Sequence, residues 1–200
     1  VSTASISRCI NNPQKVAEPT RLRIQQSIEV LGYVPHFGCR ALARNRTNTI
    51  GTIIPTMDNA MLASGLQAFQ ETLSQAGVTL LVGSSNYDPA QEFEQIRSLL
   101  SQGADGLLLI GGARPEKTRK FLTQHSVPHI LAWCYSETVD VPSVGFDNQK
   151  SGRSIAEHVI SHGHRNLAVI SGLRAGNDRA EDRILGIQAA IDAHQEVHLL

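Results

Sequence analysis

The sequence predicts an α/β protein in which a short basic helical segment precedes a doubly wound parallel sheet. Beyond residue 48, apolar runs of strand length alternate with amphipathic helical segments. The first three runs begin near residues 50, 78 and 106, and this regular spacing is typical of βαβ units with right-handed crossovers. Residues 1–46 contain no such run and are predicted to be helical.

Two helices are expected in residues 1–46. The first has Val1, Ile6 and Ile10 on one face and ends at the Asn-Asn-Pro of residues 11–13, where proline stops helix growth. The second extends from about Glu18 to Leu31, since Pro19 suits a first turn and Gly32 suits the residue after a helix. Its buried stripe is predicted to be Ile24, Ile28 and Leu31.

Five runs are predicted to be strands buried on both faces, because their apolarity is nearly continuous rather than alternating. They are TIGTIIP at 49–55, VTLLVGS at 78–84, GLLLIG at 106–111, PHILAW at 128–133 and LAVISG at 167–172.

The intervening helices are predicted from apolar residues three or four apart and from glycines just beyond the helix ends. These glycines are Gly77, Gly103 and Gly163. The expected buried stripes are Leu62, Leu66, Phe69 and Leu73, then Phe93, Ile96, Leu99 and Leu100, then Ile155 and Val159.

Composition and charge exclude several classes of protein. With 41% hydrophobic and 18% charged residues, the 200-residue chain is globular, and no run approaches the roughly 20 apolar residues that a membrane span needs. The net charge is zero overall, yet residues 1–46 carry +5, which favours an anionic partner such as nucleic acid. The three cysteines have no metal-ligand spacing, which indicates a reducing compartment, the cytoplasm.

Signatures of enzymes are missing from the sequence. It contains no G-x-S-x-G, G-x-G-x-x-G or P-loop motif. His158, His162 and His164 are interpreted as residues at a helix end, so no metal site and no cofactor are expected. Asp88, Glu92 and Glu94 are expected on an exposed helix start, where carboxylates favour the helix dipole.

Several motifs resemble the LacI/GalR family of bacterial transcription regulators. Residues 1–11 (VSTASISRCIN), LGYVP at 31–35 and ALA at 41–43 resemble the DNA-binding headpiece of that family. GADGLLLIGG at 103–112, GFDN at 145–148, HGHRNLAVISG at 162–172 and the R-x-x-G of Arg183 to Gly186 resemble its effector-binding body. The resemblance covers essentially the whole chain.

This resemblance implies a partial helix-turn-helix headpiece with a hinge helix, then a two-lobed sheet like that of periplasmic binding proteins. The expected domains are residues 1–46 for headpiece and hinge, 47–147 for the first lobe and 148–200 for the start of a second. The family's first headpiece helix would precede Val1, and the second lobe would need further βα units. A chain with an incomplete second lobe is expected either to aggregate or to exchange amide hydrogens rapidly through residues 150–200.

The resemblance also implies which residues meet operator DNA. Thr3 and Ala4 would face base edges, and Arg8 suits a guanine edge. Leu42 of the hinge at 36–44 would wedge into a base step, unless it packs against the body. Ser7 and Asn11 are expected to donate hydrogen bonds to phosphates, unless they are only solvent-exposed residues of the helix and its cap. The remaining predicted contacts are Thr20, Tyr33, His36 and Ala43.

The effector is expected beyond the carboxyl ends of the strands, where open α/β sheets bind ligands. Arg183 can fork onto hydroxyls or a carboxylate, or else form an ion pair with Asp178 or Glu181. Asp147 either borders the cleft or caps the following helix. The family often has Asp where Trp133 stands, and because Trp offers a stacking face, a stacking ligand is the alternative to a simple sugar. Met61, Leu62 and Asn177 complete the predicted site.

Two functions are compatible with these features. The favoured one is a homodimeric operator-binding regulator, of the repressor type, controlled by a sugar or sugar acid. The alternative is a small-molecule binding protein of the same lobe fold without DNA binding. The basic segment at 1–46 favours the first, since a recognition helix has no use in a receptor. An enzyme is a distant third.

Overall fold

The computed structural model describes residues 1–33, 46–135 and 141–200. It divides the chain into two compact units, Val1–Arg46 and Thr47–Leu200. The predicted hinge at 36–44, with His36, Leu42 and Ala43, lies outside the described residues. In the part of the chain that is described, no helix is long and apolar enough to span a membrane.

The first unit contains the two expected helices. Helix α1 is Thr3–Asn11, a 3-10 turn follows at Pro13–Lys15, and α2 is Glu18–Leu31. Ser2 caps α1, because its side chain accepts a hydrogen bond from the backbone N–H of Ser5. Gly32 ends α2 with φ at 58°, a left-handed conformation that glycine adopts without strain. The predicted bounds of α2 are confirmed.

The core of the first unit is small and differs in part from the prediction. Ile24 is buried as expected, and Cys9 of α1, which was not predicted, is buried too. Leu31 is 77% exposed, so its predicted burial is wrong, and Val1 is 70% exposed. Val1 precedes α1 and Leu31 is the last residue of α2, so neither is covered on all sides by described residues of the unit.

The second unit contains a five-stranded parallel sheet in the order β2-β1-β3-β4-β5. Four of its strands lie within predicted runs, whereas the short β5 was not predicted. The strands are β1 Thr49–Ile54, β2 Thr79–Ser84, β3 Gly106–Ile110, β4 His129–Ala132 and β5 Ser143–Val144.

Helices cover both faces of this sheet, as the predicted doubly wound fold requires. They are α3 Ala60–Gln75, α4 Pro89–Ser101 and α5 Glu116–Gln124. Successive strand residues point to opposite faces. Ile53 and Leu109 pack with Ile96 of α4 in one core cluster, whereas Ile54 and Ile110 pack with Leu62 of α3 in another. The α/β fold with a parallel sheet is confirmed.

The chain continues into a pair of helices and a two-stranded parallel sheet. The helices are α6 Asn148–Ser161 and α7 Asp178–Asp192. The strands are β6 Asn166–Leu167 and β7 His198–Leu199. Ile160, Ile191 and Val197 form a separate small core here.

Two predictions for this region are wrong. The run 167–172 forms a strand only at Leu167, and Ile170 is fully exposed. A strand needs a hydrogen-bonded partner, and β7 pairs only with Leu167 of this run and with Asn166 before it. Ile155 is exposed, because α6 buries Gly152, Ala156 and Ile160 instead. A side chain at Gly152 would overlap the backbone of α7, so this close approach selects the small-residue face.

Candidate functional site

One face of α1 is polar and largely exposed. The residues of α1 predicted to contact DNA share this face, on the side away from the buried Cys9. Four of them are exposed and the last is half-buried: Thr3, Ala4, Ser7, Arg8 and Asn11. A helix entering a DNA groove needs short polar side chains at its amino end and longer donors nearby, and this face has both.

Local hydrogen bonds order part of this α1 face. Asn11 Nδ2 donates to the carbonyl oxygen of Ser7 at 3.0 Å, so the Asn11 side chain is held along the helix. Ser2 Oγ lies 3.0 Å from Ser5 Oγ, which orders the first turn beside Thr3. Arg8 forms no ion pair with any residue that the structure describes. Its guanidinium is therefore available to an external acceptor.

The other predicted DNA contacts that are described lie on or beside α2. Thr20 is half-buried in its first turn, and Tyr33 is 51% exposed just after Gly32. Arg21 Nη2 lies 4.0 Å from Glu18 Oε1, so this ion pair is loose. Lys15 and Arg23 are exposed. Of the four cationic side chains in residues 1–33, only Arg21 has an ion pair with a described residue.

The second unit has a crevice at the carboxyl end of its sheet. Strand β1 has β2 on one side and β3 on the other, and ligands of α/β proteins bind at such a switch point. A cavity of about 30 Å³ lies there, between the segments that follow β1, β2 and β3 and the start of α7. The effector is predicted at this end of the sheet, but none of the predicted effector residues lines the cavity.

A buried ion pair lies beside this crevice. The guanidinium of Arg114 lies 3.0 Å from Glu92, and their side chains are 3% and 13% exposed. Arg114 also donates to the carbonyl oxygens of Gly111 and Ile110, at 2.8 and 3.1 Å. The pair fixes the segment after β3 to α4. The expectation that Glu92 lies on an exposed helix start is therefore wrong.

The start of α7 contacts the segment after β3 directly. The carboxylate of Asp178 accepts hydrogen bonds from the backbone N–H groups of Gly112 and Ala113, at 2.6 and 2.9 Å. The buried Arg179 donates to the same carboxylate at 2.8 Å. A side chain at Gly111, where φ is 81°, would overlap both. Only glycine therefore suits this position.

Arg183 binds an amide side chain rather than a carboxylate. It donates to Asn148 Oδ1 at 2.5 Å, and Asn148 Nδ2 donates to the carbonyl oxygen of Trp133 at 3.0 Å. The buried Asn148 therefore links the residue after β4 to α7. The ion pair of Arg183 with Asp178 or Glu181, considered from the sequence, is wrong: those carboxylates bind Arg179 and Arg174 instead.

Asp147 and Asn177 both cap helices, a role that the sequence analysis considered for Asp147 alone. Asp147 caps α6, accepting from the N–H of Lys150 at 2.8 Å. Asn177 caps α7, and its Nδ2 donates to the carbonyl oxygen of Leu173 at 2.9 Å. Both side chains therefore have structural partners, and neither borders the small cavity.

The apolar residues predicted to contact the effector differ in their exposure to solvent. Leu62 is buried in the core, whereas Met61 is 61% exposed. Trp133 is half-buried, and its far ring edge packs against Gly65 of α3. Its φ of 58° is unusual for a bulky residue, and such strain is found most often at functional sites.

The charges in the crevice shift several pKa values. Burial raises the pKa of the Cys134 thiol, and the Asp178 carboxylate raises it further. Burial also raises the pKa of Asp182, and Asp178 and Asp147 add to this effect. Burial lowers the pKa of Arg179, against the influence of Asp178. Cys134 thus remains a thiol at neutral pH, which does not favour nucleophilic chemistry.

The sequence analysis did not predict several polar residues beside the crevice to belong to the site. The rule that ligands bind at carboxyl ends could have indicated Arg114, which follows β3 closely. The partners could not be found in this way, because Glu92 and Asp178 lie far from Gly112 and Arg114 in the sequence. The missed residues are Glu92, Arg114, Asn148, Asp178 and Arg179.

Both units match models of known protein families. Residues 47–200 match the family described as periplasmic binding proteins and sugar binding domain of LacI family. Residues 1–36 match the family of bacterial regulatory proteins, lacI family. The first match covers more than half of the chain.

Individual proteins are similar over the same range. Catabolite control protein A of Staphylococcus xylosus is 28% identical over 195 residues, which is 98% of this chain and 59% of that protein. The chain thus spans about three fifths of the length of this relative.

Solved structures show the same architecture. A transcriptional regulator of the LacI family from Silicibacter pomeroyi is 26% identical with a TM-score of 0.88, covering 100% of this chain and 60% of that one. The transcription regulator GntR from Chromobacterium violaceum is 29% identical with a TM-score of 0.64, covering 72% of this chain and 52% of that one.

Proposed function

The chain belongs to the LacI family, and we propose that it is a sequence-specific DNA-binding transcription regulator, acting as a repressor, whose hold on DNA responds to a small-molecule effector. The observation that carries this proposal is the exposed polar face of α1, joined in one chain to an α/β unit with a crevice at its switch point. A small-molecule receptor without DNA binding has no need of that face.

The DNA-binding part of the proposal assigns roles to exposed side chains. Thr3 and Ala4 would face base edges and Arg8 would bind a guanine, while Ser7, Asn11, Thr20 and Tyr33 would meet phosphates. His36, Leu42 and Ala43 would act in the hinge, with Leu42 as the wedge in a base step. Two copies of the protein, acting in the cytoplasm, would bind the two halves of one operator.

The experiment that tests DNA binding measures affinity against salt. An operator is first selected from a random duplex pool with the full-length protein. Raising salt from about 50 to about 200 mM should then weaken binding roughly a hundredfold or more if four phosphates are neutralised, because counterions are released. An affinity that does not change with salt contradicts the proposal. Arg97→Ala, an exposed cation of α4 paired with Glu94, is the control and should leave the slope unchanged.

The effector part of the proposal places a sugar or sugar acid in the crevice. Arg183 is the proposed main ligand, and the further proposed ligands are Trp133, Asn177, Asp147, Met61 and Leu62. The bond from Arg183 to Asn148 supports this role, since a neutral amide holds the guanidinium in place without neutralising its charge.

Calorimetry tests the effector site after a thermal-shift screen of sugars and sugar acids has found a ligand. Arg183→Ala should weaken its binding by about 1.5–3 kcal/mol, the value of a hydrogen bond to a charged group. Operator binding without the ligand should change little. Unchanged affinity for the ligand would assign Arg183 a structural role only.

A further inference from the structure

The carboxyl-terminal end of α6 presents two histidines on one side of the helix. His158 lies in the last turn of α6, and His162 is the residue that follows its end. Both are exposed, and their ring centroids are 4.4 Å apart. The sequence analysis interpreted them only as residues at a helix end. We propose that they form a binding site for a divalent transition-metal ion, with a preference for nickel or copper over zinc.

A hydrogen bond determines which nitrogen of His162 can bind a metal. Nδ1 of His162 lies 2.8 Å from the carbonyl oxygen of His158. Because a carbonyl oxygen only accepts, Nδ1 carries the proton, and Nε2 of the neutral ring keeps its lone pair. Histidines that bind metals usually donate their other ring nitrogen to a carbonyl or a carboxylate in this way. His162 is therefore oriented to bind a metal through Nε2.

The imidazole of His158 can provide the second ligand. It forms no hydrogen bond and no ion pair with any residue that the structure describes. The neighbouring carboxylate of Glu157 binds Arg153 at 2.7 Å, so it does not occupy either imidazole. Positive charge is favoured at the carboxyl-terminal end of a helix, which suits a bound cation.

The spacing of the two rings agrees with ligands that meet an ion at a right angle. With metal–nitrogen bonds of about 2.1 Å, each ring centroid lies roughly 3.2 Å from the ion, so the centroids are about 4.5 Å apart at 90° and about 5.2 Å apart at the tetrahedral angle. The observed 4.4 Å agrees with the right angle. Nickel and copper bind nitrogen ligands in square-planar or tetragonal geometry, whereas zinc is usually tetrahedral.

The end of α5 shows what the second histidine adds. His125 Nδ1 lies 2.9 Å from the carbonyl oxygen of Phe121, four residues earlier, and the two rings are 4.3 Å apart. The two helix ends thus have the same local arrangement, but α5 offers one imidazole and one phenyl ring. A phenyl ring does not ligate a metal ion, so chelation is possible only at the end of α6. Two linked ligands raise the affinity because the second one binds at a high effective concentration.

Two protein ligands define what kind of site this is. Among the described residues, no three or more side chains of the metal-ligating types are grouped so that they could hold an ion. Water would therefore complete the coordination, and the ion would exchange with the solvent. The site goes beyond the proposed function, since it involves neither the polar face of α1 nor the crevice.

Isothermal titration calorimetry of the untagged full-length protein with nickel chloride tests the site. At about pH 8, unpaired imidazoles are neutral and able to ligate. His158→Ala and His162→Ala should each weaken Ni²⁺ binding about tenfold or more, because even the loss of a residue that only orients a ligand costs about 10–100-fold. Zn²⁺ should bind the wild type more weakly than Ni²⁺. Ni²⁺ should also raise the melting temperature of the wild type but not that of either variant.

Two further variants make the result specific. His125→Ala removes the single histidine at the end of α5 and should leave the affinity for Ni²⁺ unchanged. The double variant His158→Ala with His162→Ala should bind no more weakly than either single variant, because one remaining histidine no longer chelates. All three positions are exposed, so the melting temperatures without metal should change little.

Three results would overturn the proposed site. Equal affinity for Ni²⁺ in the wild type and both single variants would mean that the ion binds elsewhere, as an adventitious ion only. A loss in the double variant that equals the sum of two smaller losses would mean two independent histidines. Tighter binding of Zn²⁺ than of Ni²⁺ would contradict the right-angle geometry. A failure to bind operator DNA would contradict the proposed function alone, since these titrations contain no DNA.

Discussion

The two candidate sites keep their charged groups in opposite environments. In the first unit, Arg8 and Arg23 are exposed, and Arg21 is only loosely paired with Glu18. In the second unit, Arg114 is almost fully buried and bonded to a carboxylate and two carbonyl oxygens. An exposed cation can bind a partner molecule, whereas a buried, paired cation contributes to the stability of the fold.

This difference separates the effects expected of mutation. Removing an exposed, unpaired cation changes folding stability little, so its effect should be confined to binding. Removing one member of a buried pair leaves the other charge uncompensated, so its effect should be on stability first. Each of the following predictions tests one side of this comparison.

The largest effect is expected at the buried pair. Arg114→Met should lower the free energy of unfolding by about 3–5 kcal/mol in urea titration, because Glu92 is left without its counterion. The double variant Arg114→Met with Glu92→Leu should recover most of the loss, since apolar groups need no partner.

An exposed pair provides the control for Arg114. Arg119 lies 2.7 Å from Glu116, and their side chains are 63% and 59% exposed. Arg119→Ala should cost about 1 kcal/mol or less. Equal losses for the Arg114 and Arg119 variants would show that burial does not distinguish the two pairs.

The next largest effect is expected on DNA binding. Arg8→Ala should weaken binding to the selected operator by about 1–3 kcal/mol and to random DNA much less, as base readout requires. The urea midpoint should be unchanged, because Arg8 is exposed and has no ion pair with a described residue. Equal losses on both DNAs would make Arg8 a phosphate contact.

The comparison also explains what could be predicted from the sequence. The bounds of α2 and the left-handed glycines at 77, 103 and 163 follow from local chemistry, and the structure confirms them. The exposed face of α1 could also be predicted from local sequence, since helical spacing alone brings its residues together.

Long-range contacts explain what could not be predicted. Arg114 pairs with Glu92 and Asp178 with Gly112 because of how the sheet folds, and no periodicity links these positions. Ile155 was misplaced because Gly152 and Gly186 bring two helices together, which apolar spacing does not reveal. The run 167–172 has strand composition, but β7 pairs with only its first residue and with Asn166.

A smaller effect is expected from the protonation of Asp105, whose carboxylate accepts hydrogen bonds from the residues just before β1. Burial alone would raise the pKa of Asp105, but hydrogen bonds from Thr47 and Asn48 outweigh it and leave the pKa below its ordinary value. Asp105 therefore stabilises the fold above its unfolded pKa of about 3.9, and this contribution is lost as pH falls through the lower folded value.

The measurement for Asp105 is a series of thermal unfolding curves below about pH 5. Asp105→Asn should lower the melting temperature at neutral pH and should show a shallower loss than the wild type as the acid range is entered. Parallel curves for the two proteins would mean that the bonds to Thr47 and Asn48 contribute no net stability.

The smallest effect is expected at Asp182, a half-buried carboxylate without a hydrogen bond or ion pair to any described residue. Its pKa is raised by burial and by Asp178 and Asp147, so its ionised form is disfavoured in the folded state. The resulting penalty exists at neutral pH and is relieved as pH falls through the raised pKa. Asp182→Asn should therefore increase stability at pH 7, by on the order of 0.5 kcal/mol after solvent screening. Thermal unfolding beside Asp192→Asn, an exposed carboxylate of the same helix, measures this gain. If the melting temperature of Asp182→Asn falls instead, Asp182 stabilises the fold, as Arg114 is expected to do.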